Sequence, residues 1–305
     1  MRLDEDRNQL LRYINEAANY LNIHREYVEK DYWLILILKT IFSKTQDYVF
    51  KGGTSLSKCY HLINRFSEDI DISYSNEYDS LTVNDINRRF KGITKSIKEV
   101  GLDIENKDHL RRNAYFNQFR CPYPSLFDGG VIEKRVVIEL AGQTPSFPSK
   151  QVFIQSFVGE YLEKINRHDL VEKYELEPFL ITVQTLERTL VDKTYAMCDY
   201  YIDNKSKNHS RHIYDIYKIL SVVDLNNGLS DLFKEVREHR KKIIVCKSAQ
   251  DGISIGTILN NIIEEDFFKK DYEGTTFTLL YEQISYQKCK DTLIRLKDFL
   301  TQYNL

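Results

Sequence analysis

Residues 50 to 73 constrain the fold of this chain more than any other stretch: Phe-Lys-Gly-Gly-Thr-Ser-Leu-Ser-Lys-Cys-Tyr-His-Leu-Ile-Asn-Arg-Phe-Ser-Glu-Asp-Ile-Asp-Ile-Ser. Tyr48, Val49 and Phe50 read as a short strand, and Gly52-Gly53 as a tight turn. A helix is expected next, with Leu56, Cys59, Tyr60 and Ile63 along one face. The chain then returns as a strand, Asp69 to Ser73. Side chains alternate across a strand, so Asp69 and Asp71 share one face while Ile70 and Ile72 enter the core. Two carboxylates held about 7 Å apart on a stiff element suit divalent metal ions bound to a triphosphate. The glycines allow backbone N–H groups to approach phosphate oxygens.

The order strand, Gly-Gly, helix, Asp-Ile-Asp strand resembles the signature of the nucleotidyltransferase superfamily related to DNA polymerase β. The wording from Arg65 to Asp71, after Gly-Gly-Thr-Ser-Leu-Ser, is similar to one branch of it, the AbiEii/AbiGii toxin family, which includes the MenT nucleotidyltransferase toxins. Fifteen residues separate Gly53 from Asp69, a little more than the superfamily's usual gap. The resemblance implies an α+β fold: a polymerase β-like nucleotidyltransferase domain, with a mixed sheet flanked by helices, and a helical C-terminal domain. The domains are expected at 1–165, with the N-terminal helices, and at 166–305, completing the cleft.

The whole chain is compatible with that reading. Its 305 residues allow one large domain or two. Lys+Arg 43 against Asp+Glu 45 leaves a formal charge of -2, so an RNA-binding face has to be a local patch. The five cysteines, with no Cys-x-x-Cys, point to reduced thiols rather than a disulfide framework or zinc knuckle. A charged N-terminus and the shortness of the apolar run Trp33 to Leu38 give the expectation of a cytoplasmic protein with no membrane partner. No P-loop accompanies Lys51 or Lys58, no Gly-x-Ser-x-Gly elbow occurs, and His209 and His212 lack the further ligands zinc needs.

Along the chain, residues 4–21 and 25–42 read as helices. The second opens with Glu29-Lys-Asp-Tyr-Trp, which also looks like the family's N-terminal wording; acidic residues at a helix start serve equally well, and Lys30 and Asp31 are assigned no chemistry. A helix over 81–101, a strand over 113–123 and a hairpin turn at Asp128-Gly-Gly follow. The segment from Val131 to Leu140 reads as a strand buried on both faces, with Glu139 inside its apolar run. A buried carboxylate needs a partner or a cleft. Glu139 fits the superfamily's third metal-binding carboxylate, the alternative being a pair with an arginine or a solvent-facing strand end.

A further strand is expected at 151–157, and the segment Phe179 to Ala196 ends a short strand and opens a helix, with Leu186, Leu190, Thr194 and Met197 inward and Lys193 off that stripe. Arg211 and Asp215 share a helix face and make an ordinary ion pair on sequence grounds. By resemblance, Lys193 holds the nucleotide's phosphates and Asp215 lies near the active centre. The densest positive run, Arg237 to Lys242, is either a solvated helix face or a contact for RNA phosphates. The closing helices, 264–305, carry no chemical signal.

The implied mechanism is nucleotidyl transfer with two Mg²⁺ ions held by Asp69, Asp71 and Glu139. Gly52, Gly53, Ser55 and Lys193 grip the NTP, and Asp69, Asp71, Lys193 and Asp215 make up the catalytic set. Family members of the MenT type modify tRNA 3′ ends, so tRNA is the expected acceptor, and a cognate antitoxin in a type IV toxin–antitoxin or abortive-infection system is the expected partner. The alternatives are transfer to a protein or small molecule, or a non-catalytic nucleotide-binding role.

Overall fold

The acidic stretch becomes an inner strand of a six-stranded mixed sheet in the computed structural model, which describes residues 1–75, 81–111, 116–130, 132–142 and 145–305. The strands are β1 (Tyr48–Lys51), β2 (Asp69–Tyr74), β3 (Phe116–Pro122), β4 (Arg135–Ala141), β5 (Ser149–Ile154) and β6 (Phe179–Gln184). Their order across the sheet is β3-β4-β2-β1-β6-β5. β2 runs antiparallel to β1 and parallel to β4, while β3 is antiparallel to β4 and β6 parallel to β1. This is the α+β, mixed-sheet architecture that the acidic motif led us to expect.

Strands β2, β3 and β4 have one buried face and one half-open face, whereas β1 is buried along Tyr48 to Phe50. Ile70, Ile72, Val136, Ile138, Leu140, Phe119 and Cys121 are buried, and they share the core face by strand alternation. Between them stand Asp69, Asp71, Val137, Glu139 and Gln118, which are only partly covered. The expectation that β4 is buried on both faces is therefore corrected: its residues alternate, and Glu139 faces the open side. Asn113, Ala114 and Tyr115 of the expected third strand, and Val131 of the fourth, lie outside the described residues.

The chain divides into two units, each with its own core. The first holds Met1–Cys59 and Ser67–Val183, the second Tyr60–Phe66 and Gln184–Leu305. Helices α5 (Phe157–Lys164) and α6 (His168–Lys173) and nearly all of β6 fall in the first, so the division comes later than the turn to helical pattern near residue 165.

In the first unit α1 (Arg7–Leu21) buries Leu10, Ile14 and Ala17, and Asp6 caps it by accepting the Gln9 N–H at 3.2 Å. Helix α2 (Arg25–Phe42) buries an apolar second half, Leu34 to Phe42, but its first half buries charge: Glu26, Glu29, Lys30 and Asp31. Charges so placed need partners. Lys58 supplies one, its Nζ lying 2.9 Å from Asp31 Oδ1 and 3.3 Å from Glu160 Oε1. Burial pushes the Asp31 carboxyl up to about 6, against the pull of the Lys58 ammonium. Lys30 pairs with Glu68 and donates to the Glu133 carbonyl at 3.2 Å. Helix α3 (Gly52–Lys58) begins at Gly52 itself, leaving no separate turn, and ends before Cys59. Helix α4 (Val83–Glu99) opens with a capping box between Thr82 and Asp85.

The second unit is helical: α7 (Leu186–Ile202), α8 (Arg211–Ile219), α9 (Asn227–Lys241), α10 (Ile255–Glu264) and α11 (Tyr286–Gln302) carry its core. Segment 60–66 belongs to it. The Asn64 N–H donates to Tyr214 Oη at 2.9 Å and the Phe66 N–H to the Leu279 carbonyl at 3.1 Å. The positive run at the end of α9 is largely structural. Arg237 donates to the carbonyls of Ala249, Gln250 and Ile253, and Arg240 pairs with Asp199 at 3.0 Å. Neither guanidinium belongs to a merely solvated face.

Candidate active site

Gly52 is the first fixed point of the site. Its φ is +77°, where a side chain is strained, and a Cβ there would lie 1.8 Å from Asp71 Oδ2. The Asp71 carboxylate is thus seated against the Gly52 backbone at the start of α3. Lys51, one residue earlier, is the register partner of Asp71 across β1 and β2.

Register carries the site across the sheet. Asp71 pairs with Glu139 in parallel β2 and β4, and Glu139 with Gln118 in antiparallel β3 and β4. Directly paired residues point to the same face, so Lys51, Asp71, Glu139 and Gln118 form one transverse row, with Asp69 two residues before Asp71 on that face. Gln118 Nε2 donates to Glu139 Oε1 at 2.9 Å, and Arg120 Nε donates to Gln118 Oε1 at 2.9 Å. Glu139 has an amide partner and an open face, not the arginine pair of the alternative reading. Ser55 is buried, and its hydroxyl donates to the Gly52 carbonyl at 2.9 Å, which ties the first turn of α3 together.

The donor set suits Mg²⁺. Among the described residues no three Asp, Glu, His or Cys side chains already converge as a metal cage. Mg²⁺ seldom uses such a cage; it keeps waters and binds through one or two carboxylates plus substrate phosphates. Asp69 and Asp71 on a common strand face, with Glu139 beside Asp71, offer oxygen donors of that kind.

The second unit gathers the other expected residues around a buried carboxylate. Asp215, fully buried on α8, accepts two bonds from Arg65: Nε to Oδ1 at 2.7 Å and Nη2 to Oδ2 at 2.8 Å. Lys193 Nζ lies 2.6 Å from Oδ2. The expected Arg211–Asp215 pair is corrected accordingly. Arg211 is exposed, and Arg65 and Lys193 take both carboxylate oxygens. Lys193 does not stand off the buried face either; it is 7 % exposed, and α7 is buried on most sides. Burial alone would raise Asp215, but the two cations outweigh it and hold the carboxyl well below the usual range. Burial and the neighbouring guanidinium together lower Lys193, against the pull of Asp215.

Arg65, which stands inside the motif, is the partner of Asp215 that sequence spacing did not reveal. Its signal was present: a buried Asp with two potential cations requires a strong partner, and bidentate guanidinium is the strongest. Lys58 was likewise set aside, and serves as the counter-ion of Asp31.

A mixed sheet flanked by helices, with a glycine-opened helix answering an acidic inner strand, defines a nucleotidyltransferase-type fold. The model of the nucleotidyl transferase AbiEii toxin family, type IV toxin–antitoxin system, matches residues 37–298, and the chain belongs to that family. Membership implies a nucleotide substrate and a cognate antitoxin. No curated protein matches the chain. Among the described residues no helix is long and apolar enough to cross a membrane.

Two substitutions test this geometry. Gly52→Ala costs about 1–2 kcal/mol from the left-handed backbone alone, and more as Asp71 is driven off its seat; urea unfolding that moves by less than about 0.5 kcal/mol contradicts the placement. Arg65→Ala removes the main partner of a buried carboxylate and costs about 3–5 kcal/mol. The pH dependence carries a second signature. Asp215 has a depressed folded pKa, so its contribution is present above about pH 4 and is lost as the pH falls below it. Acid unfolding of Arg65→Ala is correspondingly shallower than wild type; an unchanged acid limb contradicts the pairing.

Proposed function

We propose that this chain transfers a nucleoside monophosphate from an NTP to the 3′ end of an RNA, with tRNA as the leading acceptor, as the toxin of a type IV toxin–antitoxin or abortive-infection system acting in the cytoplasm. The observation that carries the reading is the row Asp71–Glu139 on the open sheet face, with Asp69 beside it and Asp71 against Gly52. The register adds one lysine, Lys51, to a face that carries three carboxylates, so the row keeps a surplus of negative charge that a metal ion can take up. An enzyme handling a triphosphate turns that surplus to use.

Asp69, Asp71 and Glu139 hold Mg²⁺, two ions in this reading, which supply charge neutralisation at the triphosphate and at the attacking oxygen. Gln118 occupies one oxygen of Glu139 and leaves the other for a ligand. The backbone of Gly52 and Gly53, with Ser55 bracing the turn, faces the phosphates. By family resemblance Lys193, in the second unit, is a phosphate-binding cation, and Asp215, itself held by Arg65, orients it. Asp215 thus acts through Lys193. The acceptor hydroxyl oxygen attacks the α-phosphorus, the bond to the bridging oxygen breaks, pyrophosphate leaves, and the hydroxyl proton is lost to solvent or to one of the carboxylates.

A second reading, transfer to a protein hydroxyl or a small molecule, draws on a specific observation. The densest basic run gives Arg237 and Arg240 to internal bonds, so it offers RNA less charge than its sequence suggests. Incubation with total RNA and each α-labelled NTP separates the two. Label in RNA of tRNA size, lost in Asp71→Asn while that variant keeps wild-type thermal stability or gains slightly, is the expected result. Label confined to protein or small molecules favours the second reading. Full transfer by Asp71→Asn removes Asp71 from the chemistry.

A further inference from the structure

Helices α7 and α8 carry a second feature beyond the Lys193–Asp215 contact. Lys193 and Tyr200 are seven residues apart on α7, and so lie on one face about 10 Å apart along the axis. His212 stands three residues before Asp215 on α8, one turn away on the same side. Lys193 pairs with Asp215 and Tyr200 stacks on His212, so the two helices meet along this face.

At this end three rings are stacked. Tyr200 and His209 have centroids 3.7 Å apart with planes 12° from parallel, and Tyr200 and His212 lie 5.7 Å apart at 27°. Tyr200 and His209 are partly exposed, whereas the imidazole of His212 is buried. The turn that presents His209 is fixed by Asp271, which accepts the N–H groups of Asn208 and Ser210 at 2.8 and 3.0 Å. Exposed Lys207 and Arg211 flank the stack, and Lys205 is paired with Asp203 at 2.8 Å. Among the described residues His212 Nδ1 is buried without a hydrogen-bond partner. An orphaned ring nitrogen beside a partly open stack, with cations around it, is the chemistry that receives a base: stacking on aromatic and histidine rings, with an edge contact for a polar atom.

We propose that the Tyr200–His209–His212 stack is a nucleobase site, holding the base of the NTP whose phosphates Lys193 grips. The span from Lys193 to the stack is of the order separating the terminal phosphates of a nucleoside triphosphate from its base. The inference rests on the reading of Lys193 as a phosphate grip, and the test keeps the two apart.

Calorimetry measures binding of NTP, inorganic tripolyphosphate and a short 3′-terminal RNA, all with Mg²⁺, to the wild type, Tyr200→Phe, Tyr200→Ala, His209→Ala and Lys193→Ala. Wild type binding NTP well above tripolyphosphate is expected. Tyr200→Ala and His209→Ala weaken NTP about tenfold and leave tripolyphosphate unchanged, because only the stacking contact is lost. Tyr200→Phe retains the ring and the affinity. Lys193→Ala weakens both ligands. Wild type that binds NTP no better than tripolyphosphate overturns the base site while leaving the phosphate grip intact, and equal tripolyphosphate affinity in Lys193→Ala overturns the grip. Ala variants that weaken RNA but not NTP overturn the assignment to the donor nucleotide, as do variants that weaken NTP and tripolyphosphate alike.

Discussion

The seat of Asp71 on Gly52 joins the two halves of the motif. A carboxylate pressed against a glycine backbone fixes the start of α3 against the acidic strand, so the residue that could bind metal and the turn that could face phosphate are positioned by one contact. Only glycine admits both the positive φ and the close approach. From there β-register does the rest: with β2 parallel to β4, Glu139 falls beside Asp71 without any loop having to place it. A one-residue slip would turn the whole acidic row into the core.

Buried charge is the second constraint, and it recurs in both units. Asp31 is buried with Lys58, and Asp215 with Arg65 and Lys193. The two carboxylates respond oppositely. Burial prevails at Asp31, whose single strong cation leaves it raised, while two cations prevail at Asp215. A buried pair of this kind contributes little net stability compared with apolar packing, but breaking it is costly.

Much of the fold was legible because its signals are local. Alternation at 69–73 gave β2 and 3.6-residue periodicity gave α1 and α4, while the Gly-Gly pair, expected as a turn, proved to be the first residues of α3. What escaped were relations that only long-range packing creates. Nothing local in the Val-Val-Ile-Glu-Leu run distinguishes a strand open on one side from one buried on both, since Val137 is apolar in either case. Arg211 lies one helical turn from Asp215 in sequence, yet Arg65, 150 residues away, is its partner. The basic run from Arg237 reads as surface by composition, and the carbonyls that bind Arg237 come from the 249–253 turn, which has no charge to advertise it. The division of the chain was displaced for a similar reason: α5 and α6 are helical in pattern but belong to the sheet-bearing unit.

On the proposed reading the acidic row binds a triphosphate only through a divalent ion, and nucleotide affinity with and without that ion measures this. Calorimetric titration of the wild-type protein with NTP is expected to give measurable binding in Mg²⁺ and binding weaker by at least about tenfold in EDTA, because Asp69 and Asp71 repel an uncompensated triphosphate. Equal affinity in Mg²⁺ and in EDTA contradicts the account.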